Sequence, residues 1–240
     1  MNKKISFVTF FIFSLIGINS YSKPNKNSKI AAKLPANFVY LEDIAPEIVQ
    51  NILYGTKKNF IGRRLKGYKQ PRCILRKEVA EALKEIQKEL TENSGGKLSL
   101  MIYDGYRPKK AVLDILSWIK TPIISQTQKQ YFPNIKTKQD LLDKGYISGR
   151  SGHSTGAAVD LTIVQKTAKG IEPLDMGTNF DFFDKRSWYG NKSISEKALS
   201  NRKMLRELMK RHNFVPYDRE WWHFSLKLND KIKFHNFDIS

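Results

Sequence analysis

Residues 151–161 read SGHSTGAAVDL, and whether this stretch is a helix or a loop opening into a strand decides how the rest of the chain is assembled. Gly152 and Gly156 flank His153, and each glycine costs a helix interior about 1 kcal/mol relative to alanine. The seven-residue step from His153 to Asp160 therefore reads as a loop followed by the start of a strand, AAVDLTI from Ala157. A loop of this kind brings both side chains to one point. A lone carboxylate at the mouth of so apolar a strand is costly unless it is paired or bound to a cation.

Upstream, Val79, Leu83, Ile86 and Leu90 recur at helical spacing between Arg76 and Asn93, and SGG at 94–96 ends that helix. Leu98, Leu100 and Ile102 then alternate as a strand that runs into YDGYRP. There Gly105 permits a tight turn and Pro108 suits the first position of a new helix reaching about Ile119. Residues 121–150 read as irregular, with a short helix around Asp140 to Lys144. Downstream, GIEPLDMG reads as a loop, and Leu199, Leu205, Leu208 and Met209 mark a second amphipathic helix over about Glu196 to His212. The last strand is WWHFSLKL. Helices and strands in this order, without internal repeats, predict a single α+β domain with an antiparallel or mixed central sheet packed by helices.

The bulk properties agree with one core. At 240 residues, 40% hydrophobic and 12% aromatic, the chain has the apolar content of a globular protein despite its charge. The first 22 residues, MNKKISFVTFFIFSLIGINSYS, combine a short basic start, an apolar run from Ile5 to Ile18 and small residues at Ser20 and Ser22. That is the pattern of a cleaved signal peptide, the run being shorter than the roughly 20 residues of a membrane span. The organisation expected is a signal peptide at 1–22, a flexible leader at 23–36 and a catalytic domain at 37–240. The mature chain, without a transmembrane segment, is then periplasmic or secreted.

Cleavage would remove only Lys3 and Lys4 from a formal charge of +19 and leave a strongly basic product. Attraction to anionic wall polymer is one reading of that charge, and a solvated lysine-rich surface is the other. Nucleic-acid binding is not expected, because the lysines are scattered and no recognition motif accompanies them. Cys73 is the single cysteine. It excludes an internal disulfide and reads as a small buried hydrophobe.

Far from His153, REWWHF places Glu220 three residues before His223. In a regular strand these two face opposite sides, so both serve one site only if Glu220 lies in the bend before the strand. Two histidines and a carboxylate with an open position make a catalytic zinc site, and a neighbouring glutamate outside the ligand set can act as base. On spacing alone these pairs are weak signals, and a loop histidine bonded to backbone remains open for His153. His212, at a helix end, reads as complementing the helix dipole, and His235 as part of a polar tail. Core packing accounts for at least one of Trp221 and Trp222.

Four ordered motifs, YDGYRP, SGHSTGAAVDLT, LDMGTNFDFFD and EWWHF, together resemble the D-alanyl-D-alanine dipeptidase family. These are zinc peptidases known from vancomycin resistance and related to zinc D,D-carboxypeptidases, and the similarity runs from about Tyr40 to Phe237. The resemblance implies His153, Asp160 and His223 as ligands of one zinc ion, in a cleft on the sheet, with Glu220 as general base. It implies Arg107 as the group that stabilises the oxyanion, a role suited to a permanently charged, forked donor. Ser151, Asp181 and Tyr54 match positions lining the dipeptide pocket, where Asp181 with Glu220 would meet the substrate ammonium.

The activity so implied is hydrolysis of D-alanyl-D-alanine or a close relative. Trimming of peptidoglycan stem peptides by a carboxypeptidase or endopeptidase is the alternative, and a non-catalytic zinc-containing wall-binding module a further one. The familiar resistance enzymes act in the cytoplasm, whereas this chain carries an export-like start. The reaction class carries over from the resemblance; the pathway does not.

Overall fold

In a computed structural model of the chain, residues 34–121, 130–229 and 233–240 are described. The expected signal peptide and most of the leader lie outside the described residues. The first regular element is β1 (Phe38–Tyr40), close to the expected start of the domain. A four-residue helix, α1 (Leu41–Ile44), follows it, and β1 pairs antiparallel with β3 (Ile74–Arg76) as a separate two-stranded ribbon.

The main sheet is mixed. Its centre is β4 (Leu98–Asp104) running antiparallel to the ten-residue β5 (Ala158–Thr167). On the far edge of β4 sits β2 (Val49–Gln50), the one parallel pairing among the described strands. The other edge of β5 is shared. Its first residues pair with β8 (Glu220–Leu226), which β7 (Phe214–Tyr217) extends outward, and its last residues pair with β6 (Gly170–Pro173).

Helix α2 (Lys77–Asn93) packs on β4 because Val79, Ala80, Leu83, Ile86 and Leu90 form one buried stripe along it. Gly95 and Gly96, at positive φ, carry the chain out of that helix. Helix α3 (Lys109–Ile119) begins one residue after Pro108, which takes the capping position rather than the first helical one. A single turn, α4 (Asp140–Asp143), is the short helix expected there. Helix α5 (Glu196–Arg211) is capped by Ser195, whose hydroxyl accepts from Ala198 N–H at 3.1 Å, and it packs on β7 and α2. Among the described residues, no helix is long and apolar enough to cross a membrane.

Three details differ from the sequence reading. Glu220 is the first residue of β8 and not part of the bend, which is the two-residue turn Asp218–Arg219. What lets Glu220 and His223 share a side is a register break: Pro216 faces Phe224 while the adjacent Tyr217 faces Glu220, so three residues of β8 bulge out of the ladder. His212 has a carboxylate partner, Glu89 on α2, 2.7 Å from its Nε2. His235 does not sit in a loose tail; its N–H donates to Ser154 O at 2.8 Å, and its ring packs on Phe38.

Candidate functional site

Strand register assembles the site. Asp104 of β4 faces Asp160 of β5, which in turn faces His223 of β8, so three acidic or imidazole side chains form a row across three adjacent strands. A bulge helps on β4: Ile102 faces Leu161 but Asp104 faces Asp160, so one extra residue, Tyr103, brings Asp104 into the row. His153 arrives from outside the sheet, on the 3-10 turn Gly152–Thr155. That turn ends at Gly156 with φ of 76°, and a Cβ there would lie 2.3 Å from the Phe38 ring, so only glycine lets the turn close onto β1 and enter β5.

The ring of His153 is fixed by its Nδ1, which lies 2.8 Å from the Gly105 carbonyl oxygen. A carbonyl only accepts, so Nδ1 carries the proton and Nε2 presents a lone pair. Nε2 lies 3.2 Å from Asp160 Oδ2 and 3.1 Å from His223 Nδ1, and His223 Nδ1 lies 2.9 Å from Asp160 Oδ1. Three ligand atoms therefore converge from three backbone segments, all within 4.8 Å of one another. Nitrogen and oxygen ligands about 2.0–2.1 Å from a tetrahedral ion sit about 3.3 Å apart. The donor set and its spacing thus fit a divalent metal, and the facing lone pairs of Nε2 and the Asp160 carboxylate call for positive charge between them.

The carboxylates around this point are held in different states. Burial pushes Asp160 up, but positive charge on the His153 and His223 side, carried by protonated imidazoles where no cation is bound, outweighs it and keeps the group ionised. For Glu220 burial dominates, with Asp160 adding to it, and its carboxyl is pushed up to about 7 although 20% of the side chain stays exposed. It stands 3.9 Å from His223 Nδ1. Asp181 is raised well above the ordinary carboxylate value by burial and by Asp160. Its backbone is left-handed, with φ of 58°, a conformation aspartate tolerates better than most residues.

Six of the eight residues singled out from sequence, Tyr54, Arg107, Ser151, Asp181, Glu220 and His223, line one cleft of about 260 Å3. The other two, His153 and Asp160, are 3% and 2% exposed and touch His223. Phe60, Val112, Ile115 and Phe183 give the cleft apolar walls. Tyr54 belongs both to the packing and to the site: it is 2% exposed, its ring lies under the Arg107 guanidinium, and its hydroxyl donates to Asp181 Oδ2 at 2.9 Å. Both tryptophans are core residues, and Trp221 also donates from Nε1 to the Thr178 hydroxyl.

Two residues of the site escaped sequence reasoning. Asp104, wholly buried, accepts from Arg107 Nε at 2.8 Å and from the Tyr68 hydroxyl at 2.6 Å, and lies 3.6 Å from His153 Nδ1. It orients the arginine, and Tyr68 orients it. The signal was present: an aspartate ending a strand as apolar as LSLMIY needs a partner, as Asp160 does. Cys73 lies buried beneath the Gly105 turn as a small hydrophobe, its thiol pushed up by burial and so unreactive.

Known proteins resemble this chain over nearly all of the described domain. The family model for D-Ala-D-Ala dipeptidases of the M15 peptidases matches residues 35–237. The D-alanyl-D-alanine dipeptidase of Enterococcus faecium is 36% identical over 190 residues, 79% of this chain and 91% of that protein. Its namesake in Enterococcus faecalis is 38% identical over 189 residues, 79% and 91% of the two chains. The Streptomyces coelicolor dipeptidase is 34% identical over 194 residues, 81% and 93%.

Proposed function

The chain belongs to the D-alanyl-D-alanine dipeptidase family, and from that premise we propose that it is a zinc-dependent dipeptidase hydrolysing D-alanyl-D-alanine or a closely related D-amino-acid dipeptide. The observation that carries the reading is the convergence of His153, Asp160 and His223 beside Glu220 and Arg107 at the same cleft. Pure binding has no use for a base next to a metal ligand set.

His153, Asp160 and His223 would hold the ion. When bound, a zinc ion supplies Lewis acidity, polarising the scissile carbonyl and making water a stronger acid. Glu220 takes the proton of the attacking water and passes it to the leaving amine; burial brings this carboxyl to about 7, near neutral pH, where one group can both accept and return a proton. Arg107, fixed by Asp104, directs its charge at the oxygen that becomes negative in the tetrahedral transition state. Asp181 gains a partner when an ammonium group enters, and its burial beside Tyr54 gives the cleft a reason to refuse acylated, uncharged amino ends.

The test is to incubate the purified protein, with zinc and with chelator, with D-Ala-D-Ala and with N-acetyl-D-Ala-D-Ala and to quantify released D-alanine. Chelator-sensitive cleavage of the free dipeptide is expected, and preference for the blocked peptide would move the protein to stem trimming. In the same assay Glu220→Gln is expected to keep its metal and lose about 1,000-fold or more in kcat, the scale of a lost general base and its charge. Near-normal turnover would remove Glu220 from the mechanism. We also infer export from the signal-like residues 1–22. Cell fractionation with intact mass tests it, a chain outside the cytoplasm with an N-terminus near residue 23 being expected and a chain confined to the cytoplasm overturning it.

A further inference from the structure

The cleft is lined by two cations, and they stand differently. Arg107 is committed: Nε and Nη2 each lie 2.8 Å from Asp104 Oδ2, and Nη2 lies 3.4 Å from Asp160 Oδ2. Arg150 is exposed on the lip, in the segment leading to Ser151 and the His153 turn, and has no carboxylate partner among the described residues. Its guanidinium lies over the Phe234 ring, with Cζ 4.9 Å from the centroid, and its backbone N–H donates to the Ser148 hydroxyl at 3.2 Å.

We propose that Arg150 recognises the C-terminal carboxylate of the substrate and so sets a preference for a free carboxyl end, an assignment that rests on the dipeptidase reading. A free dipeptide brings two opposite charges into a small cleft, and each loses hydration unless a counter-charge meets it. Asp181 and Glu220 line the cleft as the carboxyl groups that an entering ammonium would meet and favour in ionised form, while the positive charge of Arg107 already faces two carboxylates. Arg150 is the remaining cation of the lining. A guanidinium matches a carboxylate with two parallel donors, and a ring beneath its face leaves that donor edge free. Stacking on Phe234 also limits the orientations the side chain samples before substrate arrives. Because Arg150 is exposed, solvent screens the pair, and the expected contribution is up to about fivefold in affinity, not thousands.

The experiment compares D-Ala-D-Ala with D-alanyl-D-alaninamide, which differs by the lost negative charge, in the wild type and in Arg150→Ala and Arg150→Lys. The amide is followed as a substrate, or as a competitive inhibitor where it is not cleaved. For Arg150→Ala, kcat/KM on the free dipeptide is expected to fall about fivefold, through KM, while the amide loses less than about twofold, so that the preference for the acid shrinks. Arg150→Lys, with a charge but no fork, should recover part of it. At high salt the difference between wild type and Arg150→Ala should narrow. Equal losses on both ligands, or no loss on either, would overturn the assignment while leaving the dipeptidase reading intact. A wild-type chain that cleaves no free dipeptide would instead remove the dipeptidase reading, and the role of Arg150 with it.

Discussion

Asp104 never reaches the cleft, yet Arg107, Tyr68 and the His153 ring all meet at its carboxylate. In Asp104→Asn the charge that holds Arg107 is gone, and the nearest remaining carboxylate is Asp160, 3.4 Å from Nη2. The guanidinium is then expected to shift towards Asp160 and away from the reacting carbonyl. A misplacement of about 1 Å at such a group costs about 100-fold in rate, so kcat should fall by about 10- to 100-fold with metal content unchanged. Steady-state kinetics beside metal analysis checks this, and a wild-type kcat would show that Arg107 orients itself. His153, Asp160, Glu220 and His223 could be picked out because the motifs that carry them resemble those of a known family, their spacing alone being a weak signal. Asp104 and Tyr68 could not be, because strand register brings Asp104 to Asp160 from 56 residues away and a side-chain hydrogen bond brings Tyr68 to Asp104 from 36 residues away.

Elements repeat that division. The longer segments were readable, the helices α2, α3 and α5 because each buries one face, and the strands β4 and β5 because their apolar runs are long and buried on both faces. The ribbon β1–β3 and the strands β2 and β6 span two to four residues, too short for any period to show, and β7 contains Pro216, a residue edge strands tolerate. One side chain ties such elements together. Asp114 of α3, 3% exposed, accepts from Arg63 Nη1 at 2.6 Å, Arg63 Nη2 at 3.0 Å and Lys66 N–H at 3.0 Å, pinning the loop that carries Phe60 into the cleft. Burial alone would raise its carboxyl, but these donors lower it below the ordinary value. A carboxyl lowered by folding stabilises the fold fully above its unfolded value of about 3.9, and that stabilisation is lost as pH falls through the lower folded value. Asp114→Asn should cost about 1–3 kcal/mol at pH 7. In denaturant titrations its gap from wild type should close below about pH 4. A gap constant with pH would mean that packing, not charge, is what the substitution disturbs.

At the scale of the molecule, the last residues decide how the two site-bearing turns stay together. Two hydrogen bonds link the DGYRP turn directly to the His153 turn, Arg107 N–H to His153 O at 3.2 Å and His153 Nδ1 to Gly105 O at 2.8 Å. The C-terminal segment braces both: His235 N–H reaches Ser154 O, Lys109 N–H reaches His235 O, and Phe237 stacks on Tyr106 with centroids 4.1 Å apart. Asp238 pairs with Lys69 and Lys110 at 2.7 Å each, and the 1% exposed Ile239 pairs with Tyr68, the residue that holds Asp104. Composition alone made this segment look like a polar tail, since its contacts are to residues about 80 or more positions away. Deleting residues 236–240 removes an aromatic stack, a buried isoleucine and two ion pairs, a loss of about 3–5 kcal/mol by the scale of large-to-small core substitutions. For a domain of this size each kcal/mol lowers Tm by about 2–4 °C, so calorimetry should show a drop of about 10 °C. Turnover measured well below that melting point should fall as well, because Tyr106 and Tyr68 lose the support that fixes Arg107 through the turn and through Asp104. A truncated chain with normal turnover but a lower Tm would separate the two roles, making the segment a brace for the fold alone and leaving the Asp104–Arg107 pair self-supporting.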